Sequence, residues 1–424
     1  MRKDIVTDQE TFNEEYENLP ANLIEQLNQF QDDKIGVIFH FGLYSLAGIV
    51  ESWQLSKEDT WARKKPWRSD LAELRHDYWN LANDFHPNPD NVVSWAATIK
   101  DTGIKYGILT TKHHDGFSIF DTKFSNFHSN LDIFKIFSQT MQQHNLKVGA
   151  YYSKPDWHNE NYWEPGSDPI GRYASYDPKE NPAKWQQFND FVKNQLLELT
   201  TNYGPIDILW LDGGWVNKDH HEFLEMESIV KQIRLHQPNI LVVDRTIGGL
   251  YENYVTPERS IPETPPKKVW ESNIPLAKNW GYVPNDQYKT FSEIESMIVE
   301  IVSKGGNVIL GIGPKPDGTL PHEALKILAQ LKIWLQKYGQ AIFKTRAVDI
   351  SNPPAGWFFT QRDNHLYAFV KQDSEKNWDY SQKILSVKAL DKNVEVQIND
   401  SRVEINKNSS EDEFTVLEMI EETV

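Results

Sequence analysis

Short apolar runs alternate with segments of helical periodicity through most of this chain, and no other feature constrains its fold as much. Strand-like runs are read at 35–45 (IGVIFHFGLYS), 105–117 (KYGILTTKHHDGF), 147–157 (KVGAYYSKPDW), 206–214 (IDILWLDGG), 239–246 (NILVVDRT), 267–272 (KKVWES) and 306–314 (GNVILGIGP). Between or after them lie helical patterns at 91–102, 131–145, 182–203, 222–237, 291–303 and 321–338. In the clearest, Trp185, Phe188, Val192, Leu196 and Leu199 recur every three or four residues until Gly204-Pro205 stops the helix. Strands joined through helical crossovers pair in parallel, so the expected fold is α/β: a (β/α)8-like barrel of the TIM type with one irregular or missing unit. After about Arg346 the texture becomes short alternating runs, such as HLYAFVKQ and VEVQIND, separated by Asn, Asp and Gly turns. These predict a small antiparallel β-sandwich-like domain, giving expected domains of 1–345 and 346–424.

The runs end in polar groups. Ile206, Ile208, Leu209, Trp210 and Leu211 form an apolar strand that stops at Asp212, followed by Gly213 and Gly214. C-terminal strand ends carry the chemistry of such barrels, and the glycines leave room for a ligand near the backbone; a simple Asp-Gly turn is the plain alternative. His40 closes the first run, and Lys112, His113, His114 and Asp115 close the second. Tyr152, Asp156, Trp157 and His158 follow the third, Asp244 and Arg245 end the fifth, and Glu271 ends the sixth. Unpaired buried polar groups are costly, so convergence at the barrel mouth supplies them with a common ligand.

Two chemistries compete for this set. His40, His113, His114 and Asp212 are plausible metal ligands, but adjacent histidines on a strand point to opposite faces unless the strand has already ended, and no HxH or HExxH pattern occurs. Glycoside hydrolysis by two carboxylates needs no metal and uses imidazoles on sugar hydroxyls. With 15 Trp, 17 Tyr and 12% aromatic residues, the chain is rich in flat faces suited to a pyranose ring, which favours the second chemistry. Absence of cysteine excludes disulfides and thiolate sites. A formal charge of -17, from 44 basic and 61 acidic residues, disfavours nucleic acid and anionic membrane surfaces as partners. No 18-residue apolar run occurs, and MRKDIVTDQETFNEEYENLP lacks the apolar core of a signal peptide, so a soluble, cytoplasmic protein is expected.

The segments IGVIFHFGLYS, KYGILTTKHHDGFSIFDTKFS, VGAYYSKPDWH, LTTNYGPIDILWLDGG, VTPERSIP, WGYVPND and IVSKGGNVILGIGPKPDGTLP resemble, in order, the signature segments of glycoside hydrolase family 29 α-L-fucosidases. The resemblance implies a retaining exo-α-L-fucosidase with Asp212 as nucleophile and no cofactor or metal. It nominates Glu258, in the Thr-Pro-Glu segment, as acid/base, with Glu271 of VWES as the alternative. His40, Glu51, Trp53, His113, His114, Tyr152, Trp210, Arg245 and Trp280 are the implied fucose-binding positions. Phe41 stands where the family often has Trp, and Ser52 is inserted between Glu51 and Trp53. VTPERSIP and WGYVPND look most like the α-1,3/1,4-preferring branch, of the lactobacillus-type intracellular enzymes. That implies a small fucosylated oligosaccharide such as fucosyl-α-1,3-N-acetylglucosamine as substrate, with a homo-oligomer neither required nor excluded. A fucose-binding protein without turnover and a metal-dependent barrel hydrolase are the alternatives.

Overall fold

Strand β1 (Ile35–Phe39) pairs in parallel with β2 (Tyr106–Lys112) on one side and with β7 (Asn307–Ile312) on the other, which starts a closed sheet. With β3 (Lys147–Ser153), β4 (Ile208–Asp212), β5 (Leu241–Asp244) and β6 (Glu271–Pro275), the parallel order is β5-β4-β3-β2-β1-β7-β6. The computed structural model describes residues 19–245, 249, 251–380, 384–399, 402–408 and 412–421. The N-terminal segment read for a signal peptide, up to residue 18, and Thr246 of the fifth strand-like run lie outside them.

Among the described residues no regular strand fills the gap between β5 and β6. Residues 253–259 bridge it irregularly: the Asn253 N–H donates to Val242 O, and the Arg259 N–H donates to Asn273 O on β6. Isolated parallel bridges tie Val255 to Trp270 and Glu258 to Asn273. This is the irregular unit, and Pro257, which has no N–H to give a ladder, helps explain why it is irregular. β6 itself begins at Glu271, whereas the sequence pattern ends a strand at Ser272. The apolar residues Val269 and Trp270 that suggested the strand precede it, and ESNIP has no apolar run to betray it.

Side chains alternate across the barrel wall. Ile38, Ile108, Tyr151, Trp210, Val243 and Ile309 point inward, where they share a core with Leu23, Leu27 and Phe30 of α1 (Ala21–Asp33). That helix closes the N-terminal end of the barrel: Phe30 packs on Tyr106, and its carbonyl accepts from the Asn307 side chain at the start of β7. Val37, Phe39, Leu109, Val148, Tyr152, Leu209, Leu211 and Val242 point outward under the helical layer.

That layer contains α2 (Leu43–Ala47), α3 (Leu71–Asn80), α4 (Pro89–Thr102), α5 (Ile133–Gln143), α6 (Pro182–Thr201), α7 (Met226–Ile233), α8 (Phe291–Ser303) and α9 (His322–Tyr338). Local chemistry sets several of their ends. Asn88 caps α4 ahead of Pro89 and Gly103 ends it in the left-handed region, while Thr290 and Glu293 form a capping box on α8. Among the described residues no helix is long and apolar enough to cross a membrane.

Beyond the barrel, β8 (Trp357–Arg362), β9 (His365–Lys371), β11 (Ile384–Ala389) and β14 (Phe414–Glu421) form one antiparallel sheet. A second contains β10 (Asn377–Asp379), β12 (Val394–Asn399) and β13 (Arg402–Asn408). Alternation again divides the labour. Leu366, Ala368, Val370, Leu417 and Met419 build this domain's own core with Trp357, Phe359 and Trp378, while Tyr367, Phe369, Phe414 and Val416 join the outer core of the barrel.

Candidate active site

A cavity of about 480 Å³ opens at the C-terminal ends of the strands, lined by His40, Glu51, Trp53, His113, Tyr151, Arg172, Trp210, Asp212, Arg245, Glu258, Arg259 and Trp280 among others. Asp212 is the last residue of β4 and is 6% exposed. Its Oδ2 accepts from the Tyr151 hydroxyl at 2.6 Å, and its Oδ1 from the Gly213 N–H at 2.7 Å and Arg245 at 3.2 Å. Burial alone would push this carboxyl up, but Arg245, the Tyr151 hydroxyl and the Gly213 amide hold it well below the usual carboxylate range. Gly213 sits at φ 93°, and a Cβ there would lie 2.2 Å from the Pro155 ring, so this glycine makes room for Pro155. Gly214, beside it, lines the cavity.

Glu258 ends the irregular stave and therefore reaches the mouth. Its Oε1 accepts from the Trp280 indole at 3.0 Å, with Arg259 3.7 Å away, and its Oε2 accepts from Arg245. One guanidinium thus touches Asp212 through one terminal nitrogen and Glu258 through the other.

Glu271 is elsewhere. As the first residue of β6 it lies at the opposite end of the barrel, fully buried, accepting from the Tyr106 hydroxyl at 2.5 Å. Its reading as a strand-end acid is corrected by the shift of β6. Burial pushes its carboxyl up to about 8, only partly offset by Tyr106 and Trp210, so it is largely protonated at neutral pH.

β2 ends at Lys112, so the two histidines that follow are free of strand alternation and their rings pack 4.1 Å apart. The strand has already ended, so the alternation that would turn them to opposite faces does not apply. Their ligand atoms and those of Asp212 lie within 4.8 Å of one another, as three metal ligands would. Arg245, however, already supplies positive charge to that carboxylate. Burial lowers all three imidazoles, His113 to about 4 and His40 and His114 well below the usual value, so they are neutral at neutral pH. His40 stacks on Trp280, and Trp53 meets His114 edge-on. Glu51 Oε1 accepts the backbone N–H groups of Trp280 and Gly281 at 2.9 and 2.7 Å, fixing the loop that carries Trp280.

Tyr152 is not part of this group. The strand period turns it outward, where its hydroxyl donates to Gln195 of α6 at 2.8 Å and Lys112 lies over its ring. Tyr151, one residue earlier, faces inward and takes the place expected of Tyr152. Lys112 and Asp156 pair with each other, and Asp244 pairs with Lys154 and Tyr251, all buried; none of the five lines the cavity.

A family model described as alpha-L-fucosidase matches residues 1–340. The chain belongs to the α-L-fucosidase family. It is similar to an α-L-fucosidase of Dictyostelium discoideum, 24% identical over 80% of this chain and 77% of the relative. Human plasma α-L-fucosidase is 27% identical over 81% of this chain and 75% of its own. Among solved structures, α-L-fucosidase isoenzyme 1 from Paenibacillus thiaminolyticus superimposes with a TM-score of 0.79 at 27% identity, covering 95% of this chain and all of its own. A family 29 α-L-fucosidase from Bacteroides thetaiotaomicron reaches 0.77 at 21% identity, over 94% of this chain and 95% of that one. The protein is a glycosidase of family 29 with the barrel and C-terminal β domain of that family.

Three residues of the candidate site escaped the sequence reading. Tyr151 was legible from alternation, since it shares the face of Trp210, its partner across β3 and β4. Ser52, the apparent insertion, is fully buried and its hydroxyl contacts His113 Nδ1 at 2.6 Å. Arg172 comes from the long segment between β3 and α6, where no pattern announces it; it sits between the Trp53 and Trp215 rings and pairs with Asp59. A hydrogen bond to a charged group contributes about 1.5–3 kcal/mol, so Tyr151→Phe should lower kcat/KM on an aryl fucoside by roughly tenfold to a hundredfold. Tyr152→Phe should stay within a few-fold of wild type and show its effect in Tm; equal kinetic losses in both would refute the assignment.

Proposed function

We propose that this α-L-fucosidase releases terminal fucose with retention, by double displacement between Asp212 and Glu258. The observation that carries the reading is the single Arg245 guanidinium touching both carboxylates, one of them held ionised. Retaining glycosidases keep their two carboxyl groups about 5–5.5 Å apart, while inverting ones separate them by about 6.5–9.5 Å to admit water. Two acids on one guanidinium suit the shorter spacing.

In the first step an Asp212 oxygen attacks the anomeric carbon, the glycosidic C–O bond breaks, and Glu258 gives its proton to the departing oxygen. Water then attacks the same carbon while Glu258 takes its proton, and the Asp212 ester is cleaved. Arg245 and Tyr151 keep the nucleophile charged and oriented, and the buried, uncharged imidazoles are suited to sugar hydroxyls. A Bacteroides thetaiotaomicron family 29 structure similar in fold is described as a covalent intermediate trapped with 2-fluoro-fucosyl fluoride. The same reagent should label this chain on the peptide bearing Asp212, read by mass spectrometry. A label on another acid would overturn the nucleophile, and β-fucose as first product would overturn retention.

Small α-1,3- and α-1,4-linked fucosides, such as fucosyl-α-1,3-N-acetylglucosamine, are the proposed substrates. The two segments that resemble that branch, VTPERSIP and WGYVPND, meet at the Glu258–Trp280 hydrogen bond, where the leaving group must sit. Comparing kcat/KM across α-1,2, α-1,3, α-1,4 and α-1,6 disaccharides tests this, and a preference for α-1,2 or α-1,6 would reject it. The His113, His114 and Asp212 cluster keeps a metal-dependent reading in view. Full activity is expected after dialysis against EDTA, since Arg245 supplies the charge a metal would bring; loss restored by a divalent ion would favour the metal. Failure to cleave any aryl fucoside would point to a binding protein.

A further inference from the structure

We propose that Ser153 is a positioning residue that fixes His114 in its Nδ1–H tautomer, leaving Nε2 as a bare acceptor beside Asp212. Ser153, the last residue of β3, is fully buried, and its Oγ touches His114 Nδ1 at 2.5 Å and the carbonyl oxygen of Pro155 at 3.1 Å. A serine hydroxyl has one proton, and a carbonyl oxygen can only accept. Both contacts are satisfied only if Ser153 donates to Pro155 and accepts from a protonated Nδ1. With the proton on Nε2 instead, the serine proton would go to Nδ1, and two oxygens would face each other at 3.1 Å with nothing between them.

Burial, and then the neighbouring His113, hold the His114 ring neutral, so it carries one proton. With that proton on Nδ1, Nε2 has a lone pair. Nε2 is enclosed, lacks a hydrogen-bond partner among the described residues, and lies 3.8 Å from Asp212 Oδ2. Two acceptors so placed attract a donor, which a substrate hydroxyl provides; an Nε2–H would instead point at the nucleophile and draw down its charge. His113 has no such device. Its Nδ1 contacts Ser52, whose hydroxyl shows no second partner among the described residues, so that contact permits either tautomer.

Ring-nitrogen NMR of ¹⁵N-histidine-labelled enzyme without substrate tests the proposal, with His114 assigned by the signals lost in His114→Gln. A pyrrole-type Nδ1 and a pyridine-type Nε2 are expected, and the reverse pattern overturns the proposal without any variant having to fold. This reading is independent of whether Asp212 is the nucleophile. Ser153→Ala should move the proton to Nε2 and lower kcat about tenfold or more, the scale of one misdirected charge-assisted hydrogen bond, and Ser153→Thr should restore both. Lowered activity in Ser153→Ala with an unchanged tautomer would also overturn it.

Discussion

Asp212→Gly is expected to lower kcat/KM on an aryl α-L-fucoside by about four orders of magnitude or more while the enzyme stays folded, because it removes the proposed ester-forming carboxylate. Added azide should then enter from the vacated face and yield β-fucosyl azide, the inverted product. Turnover like that of wild type would remove Asp212 from the mechanism. The same variant has a signature in stability. Asp212 is held below its ordinary value in the folded state, so its ion-pairing stabilises the fold above the unfolded-state pKa, and that contribution is lost as pH falls through the folded one. The difference in Tm between wild type and Asp212→Gly should therefore be constant near neutrality and shrink below about pH 4. A difference that grew on acidification would mean the carboxyl is not held ionised by its neighbours.

That Asp212 could be singled out, while its partner stayed ambiguous, follows from how each is carried. β4 is buried on both faces, so it reads as an unbroken apolar run whose end is plain, and the acid at that end is conspicuous. Glu258 sits on a stave with only isolated bridges, and Pro257 and Thr256 look like loop residues. β6 is the converse case: the strand ESNIP puts polar residues inside the barrel, Glu271 against the Tyr106 hydroxyl and Asn273 in the cavity lining. Periodicity has nothing to find there. The resulting displacement of a few residues turned Glu271 from a group at the barrel floor into an apparent one at the mouth. Tyr152 failed for another reason. Residue-by-residue resemblance carries no phase, and in a strand a one-residue slip exchanges the inside for the outside. Helix α1 was missed although Leu23, Leu27 and Phe30 have helical spacing, because it precedes the first strand and no alternation of units called for it.

The two glutamates should separate cleanly by experiment. Glu258→Ala should lose activity on fucosides with poor leaving groups by roughly a hundredfold or more, the usual scale of general acid catalysis, and lose less where the leaving group needs no proton. Azide should restore turnover by attacking the fucosyl-Asp212 ester from the open face, so the product keeps the substrate's configuration as α-fucosyl azide. Glu271→Gln should behave otherwise in every respect. At the barrel floor it has no access to the leaving oxygen, and a carboxyl raised to about 8 is already neutral at pH 7, so the amide is close to isosteric and activity should stay within a few-fold of wild type. Stability is where it should register. The folded state holds this proton between the ordinary carboxylate value near 4.5 and about 8, whereas the unfolded chain releases it, so the wild-type carboxyl loses stability as pH rises through that window. Glu271→Gln removes the loss, and its Tm should gain on wild type steadily from pH 4.5 to 8. Azide rescue of Glu271→Ala without rescue of Glu258→Ala would reverse the assignment, and a flat Tm difference across that range would show that the buried carboxyl does not titrate as its surroundings require.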